Sequence, residues 1–263
     1  MKKPKLGQHF LEDKFYLNKI LDEVSKLNPS HIVEIGPGKG AMTDKLISIG
    51  QNYIGIEVDS ILIKSLIDKY DKYKKVHFRQ VDAGHYDPSN ESSLKSFNYI
   101  VVGNLPYYAG NLIVRNFLTN ATKPSHMIVM LQKEVAASYL ATEPKMKFLS
   151  HSIQIYSSSD KITDVPKHAF NPPPKVESSV IRLTLKKTID YGINNPEILI
   201  NFIKKGFSSP RKTLINSLSS NTGIDKQFIK NFIMQNQLNE KVRPGELNLL
   251  NWANLFHYLE SFE

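Results

Sequence analysis

A chain of 263 residues with 41% hydrophobic side chains is long enough for one large domain or for a medium and a small one, and the lack of cysteine excludes disulfides, thiolate metal sites and a cysteine nucleophile. The formal net charge of +9 favours a polyanionic partner, and the excess sits early: residues 1–187 carry 26 basic and 18 acidic side chains, residues 188–263 carry 8 and 7. No signal peptide and no run of ~18 apolar residues is legible, so no membrane partner is expected, and the absence of cysteine suits a reducing cytosol.

Leu17, Ile20, Leu21, Val24 and Leu27 follow helical spacing behind Asp13, a candidate cap. Short apolar runs then alternate with amphipathic ones. Strands are predicted over 31–35, 52–57, 76–81, 98–102 and 126–131, and helices over about 41–49, 60–70, 111–120 and 132–142. This rhythm predicts a mostly parallel sheet with helices on both faces. FLSHSIQIY reads as a helix, and 161–165 and 176–185 as strands joined across NPPPK, an antiparallel end pair. Residues 186–190 read as a linker, and only helical patterns follow. Ser209-Pro210 is the expected start of one helix, Gly223 its end, Asp225 the start of the next, and Asn248 the cap of a last helix through Trp252, Phe256 and Leu259. The expected fold is therefore α/β and Rossmann-like, with a catalytic domain over 1–187 and a small all-helical domain over 188–263.

Three strand ends carry the chemistry. The first strand runs into Gly36-Pro37-Gly38-Lys39-Gly40, whose glycines let a ligand approach the backbone at a helix start. Gly36, Gly38 and Ala41 also fit a dinucleotide fingerprint, with Glu57 as the acid about 20 residues on. Glu57 suits the ribose of NAD or of S-adenosylmethionine (SAM) equally. Asp82, at the end of the third strand, is placed to accept from an adenine amino group, although an isolated aspartate there would read as a solvated turn residue. Glu34 is expected to hold the loop backbone. No Gly-Lys-Ser/Thr sequence exists, which excludes a P-loop, and no G-x-S-x-G or H-x-x-x-H supports a hydrolase elbow or a metal site.

The fourth strand ends in Gly103-Asn104-Leu105-Pro106-Tyr107-Tyr108. The exocyclic nitrogen of adenine is a poor nucleophile because its lone pair is delocalised into the ring. Two acceptors that bind its two N–H hydrogens favour a localised lone pair, and the Asn104 side-chain oxygen and the Leu105 carbonyl can supply them. Pro106 stiffens that turn. Tyr107 offers a flat face for a base, worth roughly 1–3 kcal/mol, and favours positive charge growing on the nitrogen. Tyr108 reads as a core aromatic capping the sheet. A base in a duplex must be flipped or already unpaired to reach such a pocket. Phe170, in the proline-rich FNPPPKV, is the candidate second stacking face, and reads as well as a hydrophobic anchor for its loop.

GQHFL (7–11), EIGPGKGAMT (34–43), QVDA (80–83), GNLPYY (103–108), MLQKEVA (130–136), FNPPPKVESSVIRL (170–183) and RKTLINSL (211–218) occur in that order. Together they resemble the small-subunit ribosomal RNA adenine dimethyltransferases, the bacterial kasugamycin-sensitivity enzymes, over nearly the whole chain. RKT and PPPKVESSV resemble this branch more than the erythromycin-resistance enzymes of large-subunit RNA. The resemblance implies SAM as cofactor, and two methyl groups on N6 of each of two adjacent adenosines in a hairpin loop near the 3′ end of small-subunit RNA. It implies a pre-30S particle as partner; a cytoplasmic monomer without a metal is the accompanying expectation. His9 and Leu11 would border the methionine end of SAM, Gly36 and Gly38 the glycine loop, Glu57 the ribose and Asp82 the adenine. Asn104 would lie between donor and acceptor, and Tyr107 and Phe170 on the target base. Three departures stand out: His9 where Asn is usual, Ala109-Gly110-Asn111 where Ser/Thr and Pro are common, and Lys147-Phe148 where Tyr-Gly usually precedes Leu-Ser. Lys2, Lys3, Lys5, Arg115, Lys145, Lys147, Lys204, Lys205, Arg211 and Lys212 are the candidate RNA contacts. Two other functions share parts of this pattern. An NAD-dependent oxidoreductase shares the glycine fingerprint but leaves NLPYY without a use, and a non-catalytic ribosome-assembly factor would survive Asn104→Ala.

Overall fold

The computed structural model describes residues 9–261. Lys2, Lys3, Lys5, Gly7 and Gln8 lie outside them. In chain order the elements are β1 (Phe10–Leu11), α1 (Lys14–Leu27), β2 (His31–Ile35), α2 (Thr43–Ile49), β3 (Asn52–Glu57), α3 (Ser60–Tyr70), β4 (Val76–Gln80), β5 (Tyr99–Asn104), α4 (Gly110–Thr119), β6 (His126–Gln132), α5 (Lys133–Tyr139), α6 (Phe148–Gln154), β7 (Ser157–Val165), β8 (Phe170–Asn171), β9 (Ser178–Leu185), α7 (Pro196–Gly206), α8 (Leu214–Thr222), α9 (Lys226–Gln235) and α10 (Leu249–Glu260). The expected cap at Asp13 accepts a hydrogen bond from the Phe15 amide, and Asp59 caps α3 in the same way through Ile61 and Leu62.

Seven strands form one sheet in the order β4-β3-β2-β5-β6-β9-β7. The pairs from β4 to β6 are parallel, and β9 runs antiparallel to both β6 and β7. The inner parallel strands β2, β3, β5 and β6 read as near-continuous apolar runs because both of their faces are covered, whereas β4 at the edge is part-exposed and polar at His77, Arg79 and Gln80. Ile32, Ile100, Val102, Ile128 and Met130 join Ile20, Leu21 and Val24 of α1 and Leu46 of α2 in one core cluster. The alternate residues Val33, Ile35, Val101, Met127 and Val129 are equally buried and point to the other face. The chain builds β3 and β4 to one side of β2, then returns to place β5 on the other. The sheet's order therefore reverses between β2 and β5, the position where open α/β sheets bind ligands beyond the carboxyl ends of their strands.

The chain forms two compact units. Among the described residues, 9–136 and 157–187 make the sheet unit; 137–156 and 188–261 make the helical one. The segment 137–156, read from sequence as part of the first domain, thus groups with the C-terminal helices. Within that second unit Trp252 is fully buried and meets Phe202 and Phe207, and α7 contacts α6, α8 and α10. Gly223, left-handed at φ 78°, ends α8; Asp225 caps α9; and Asn248 caps α10 in a reciprocal box with Asn251. Ser209-Pro210 does not start a helix. The Ser209 carbonyl instead closes a turn onto the Lys212 amide, and α8 begins at Leu214 behind Thr213, whose hydroxyl accepts from Asn216 N.

Candidate active site

The carboxyl ends of β2, β3 and β5 and the turn after β4 open onto one cleft. His9, Phe10, Gly36, Gly38, Glu57, Val58, Asp82, Asn104, Leu105, Pro106, Tyr107 and Tyr108 are among the residues that line it. Residues from four separate motifs, together with Glu57, thus share a single cavity.

The glycine turn is built for close approach. Gly36 and Gly38 have φ of +64° and +58°, and a Cβ on Gly38 would lie 2.9 Å from the Phe10 ring. Phe10 in turn carries the Lys39 ammonium 4.9 Å from its centroid. The backbone-holding role expected of Glu34 falls to the other glutamate. Glu57, not Glu34, holds the loop backbone: its Oε2 accepts from Gly38 N at 3.2 Å, and its Oε1 accepts from Val58 N and Asp59 N at 2.9 and 3.0 Å. Glu34 is buried beneath and accepts from the hydroxyls of Tyr53 (2.5 Å) and Thr43 (2.8 Å). Burial pushes its carboxyl up to about 7, the two hydroxyl donors pull it back, and repulsion from Glu57 adds to the rise. Asp82 folds one oxygen onto Gly84 N at 2.9 Å, and its other oxygen lies 3.4 Å from His85 Nδ1.

The turn after β5 is held from several sides. Asn104 Nδ2 donates to the His9 carbonyl at 2.9 Å. A carbonyl can only accept, so this bond fixes which end of the amide is nitrogen and leaves Oδ1 as the other end. Among the described residues no donor reaches Asn104 Oδ1 or the Leu105 carbonyl. The Pro106 carbonyl accepts from Ala109 N and Gly110 N, closing the turn into α4. Tyr107 is half-buried; its hydroxyl meets Ser178 Oγ at 2.6 Å and its ring stacks on His9 at 6.1 Å between centroids. Burial pushes the phenol up, against the bond to Ser178, so Tyr107 stays neutral at ordinary pH.

Two expected site residues lie elsewhere. Phe170 is 4% exposed, joins the core cluster and is not among the cleft-lining residues. It is held there by the β1–β8 pairing, which sets Phe170 opposite Leu11 and Asn171 opposite Phe10, while the Ala169 carbonyl accepts from Glu12 N and Asp13 N. Of its two sequence readings, this geometry is that of a loop anchor. Leu11 is likewise a core residue, and lines an adjoining cavity with Glu34, Lys39 and Asn104. Tyr108 departs in the other direction: it is no core aromatic but a rim residue, 75% exposed. Phe10 and Ser178 carried no site reading from sequence. Phe10 stands inside GQHFL between two residues that did, and the contact of Ser178 spans 71 positions.

The model of one protein family, described as ribosomal RNA adenine dimethylase, matches residues 1–261. The chain belongs to this family. It is 34% identical over 252 residues to ribosomal RNA small subunit methyltransferase A of Dehalococcoides mccartyi, covering 95% of this chain and 86% of that one. It is 33% identical to the protein of the same name from Campylobacter fetus, over 98% and 95% of the two chains. Its fold superposes on a dimethyladenosine transferase from Plasmodium falciparum with a TM-score of 0.78 and 22% identity, over 96% of this chain and 98% of that one. Against this family background the cleft holds residues of the glycine turn, the two acidic strand ends and the NLPY turn together, while Phe170 stays outside it.

Proposed function

We propose that this protein is a SAM-dependent ribosomal RNA adenine dimethyltransferase that places two methyl groups on N6 of each of two adjacent adenosines in a hairpin loop near the 3′ end of small-subunit RNA. Its partner in this reading is a pre-30S particle in the cytoplasm. Family membership over residues 1–261 supports the chemistry, and the small-subunit names of the relatives support the substrate. The observation that carries the reading is the Asn104 amide, oriented by the His9 carbonyl so that its oxygen and the Leu105 carbonyl remain open acceptors beside the cleft.

The donor set fits the cofactor. Two backbone-anchored carboxylates, Glu57 and Asp82, suit the hydroxyls of a ribose and the amino group of an adenine, and the positive-φ glycines keep side chains out of the space above the turn. When bound, SAM supplies a sulfonium-activated methyl group. The chain's own part is to position and to accept. Asn104 Oδ1 and the Leu105 carbonyl take the two N–H hydrogens of the target amine and turn its lone pair away from the ring. Pro106 and the turn it closes keep those acceptors at fixed separation. Tyr107, neutral and tethered by Ser178, presents a flat face to the base and to charge growing on its nitrogen. No strong base is required.

The test is incubation with tritiated SAM and small subunits from a strain lacking the modification, followed by digestion. Dimethyladenosine is the expected product. With Asn104→Ala, RNA binding is expected to persist while transfer falls on the order of a hundredfold or more, the scale on which a preorganised polar contact acts. Transfer at the wild-type rate in that variant would defeat the acceptor clamp.

A further inference from the structure

Residue 9 links three segments distant in sequence. Its main-chain carbonyl accepts from Asn104 Nδ2 at 2.9 Å. Its imidazole lies against Tyr107, the ring planes 29° apart. Its Nδ1 sits 2.8 Å from the Pro172 carbonyl. A carbonyl cannot donate, so Nδ1 carries the hydrogen, and the neutral ring is the Nδ1–H tautomer with Nε2 bare. The loop from Pro172 to Ser178 is thereby fastened to the site at both ends. Pro172 is held by His9, and Ser178 by the Tyr107 hydroxyl. Lys133 closes the second end further, through its amide to the Glu177 carbonyl at 3.0 Å and its ammonium to the Glu177 carboxylate at 2.7 Å.

From this juxtaposition we infer that His9 is a positioning residue for methyl transfer rather than a side-chain ligand of the cofactor, with its imidazole holding the Tyr107 ring between itself and Ser178. The inference rests on the proposed function. It departs from the role the sequence resemblance gave this position, and its cause is specific to this chain. The one ring nitrogen that can donate in the neutral state is already committed to Pro172, so the neutral ring has no N–H left to offer a carboxylate, and its Nε2 can only accept. The orientation of Asn104, by contrast, depends on the main chain of residue 9 and survives replacement of the side chain. A missing imidazole therefore leaves the acceptor clamp aimed and removes the backing of the stacking face. The target base should then be held less well at the moment of transfer, with cofactor binding left intact.

Two measurements decide this. In His9→Ala, the affinity for S-adenosylhomocysteine by titration calorimetry is expected to stay within about threefold of wild type, while kcat at saturating SAM falls by about tenfold or more, the pattern of a group that acts on positioning and not on cofactor binding. An affinity weakened about tenfold with kcat unchanged, or no change in either, would overturn the inference. In the wild-type protein, long-range ¹H–¹⁵N correlations of the neutral His9 ring are expected to show the Nδ1–H tautomer, unchanged by S-adenosylhomocysteine; an Nε2–H tautomer, or a switch on addition of the ligand, would also overturn it. Wild-type protein that fails to methylate unmodified small subunits would strike the proposed function instead, and the tautomer measurement would still decide the role of His9.

Discussion

Glu34 shows how one buried carboxyl sets a condition on the site without lining the cleft that holds Glu57. It lies under the glycine turn, and its pKa of about 7 compares with 4.5 for the free group. The folded state therefore binds the proton more tightly than the unfolded one, and stability must fall as pH rises between those two values. The slope from this group approaches about 1.4 kcal/mol per pH unit inside that window and vanishes above and below it. Urea unfolding at pH 5, 6, 7 and 8 is expected to show wild type losing more stability than Glu34→Gln between pH 5 and 7, by about 3 kcal/mol at most, with parallel behaviour from pH 7 to 8. A wild type that gains on the variant as pH rises would show the opposite sign and refute the assignment. The identity of Glu34 was plain in EIGPG, but its role was not. Periodicity says that a glutamate interrupts an apolar strand; it does not say whether backbone amides or the hydroxyls of Tyr53 and Thr43 will meet it.

Among the elements, legibility tracked how local the deciding force is. β2, β3, β5 and β6 were readable because burial on both faces demands uninterrupted apolar runs. The end of β5 was not. The apolar run stops at Val102, yet the strand continues through Gly103 and Asn104, paired with Val129 and Met130. Gly103 is there because a neighbour is close: a Cβ at that position would stand 2.6 Å from the Ile35 carbonyl, a backbone atom that cannot swing away. Gly103→Ala is therefore expected to separate β2 from β5, lowering stability by about 1–3 kcal/mol and weakening S-adenosylhomocysteine binding, since the glycine turn and Asn104 leave the sheet from those two strands. Calorimetry and urea unfolding on the one variant check both; unchanged values would mean that the strand pair tolerates the methyl group. The β1–β8 pairing had no sequence signal at all. Two residues on each side, about 160 positions apart, are too few for a period, and the strap they form is what draws Phe170 into the core. Ser209-Pro210 failed for a related reason: its cap-then-proline pattern is realised as a turn, while Leu214 takes its amide partner from Val242 and starts the helix behind Thr213.

For the whole molecule, the sequence pattern carried the fold class and the strand-end residues that meet in one cleft, but a division at residue 187 could not anticipate that 137–156 returns to the helical unit, because such grouping depends on contacts across about a hundred residues. The charge distribution leads to the last expectation. Net charge by segment places the excess in residues 1–187, with residues 188–263 close to neutral at 8 basic and 7 acidic side chains. A near-neutral segment can still bind a phosphate backbone if its cations are exposed and its acids lie elsewhere. Lys204, Lys205, Arg211 and Lys212 are all exposed, within and just after the last turn of α7, and no acidic residue lies between positions 198 and 224. Each phosphate neutralised on single-stranded nucleic acid contributes about 0.7 to the slope of log affinity against log salt, and up to about 0.9 on a duplex. Replacing these four residues together with alanine is expected to make that slope about 3 shallower for small-subunit RNA, while affinity for S-adenosylhomocysteine stays at the wild-type value. The measurement is RNA binding across a series of salt concentrations for both proteins. A slope that does not move would place the polyanion on the basic excess of residues 1–187 instead, and would remove these four cations from the candidate RNA contacts.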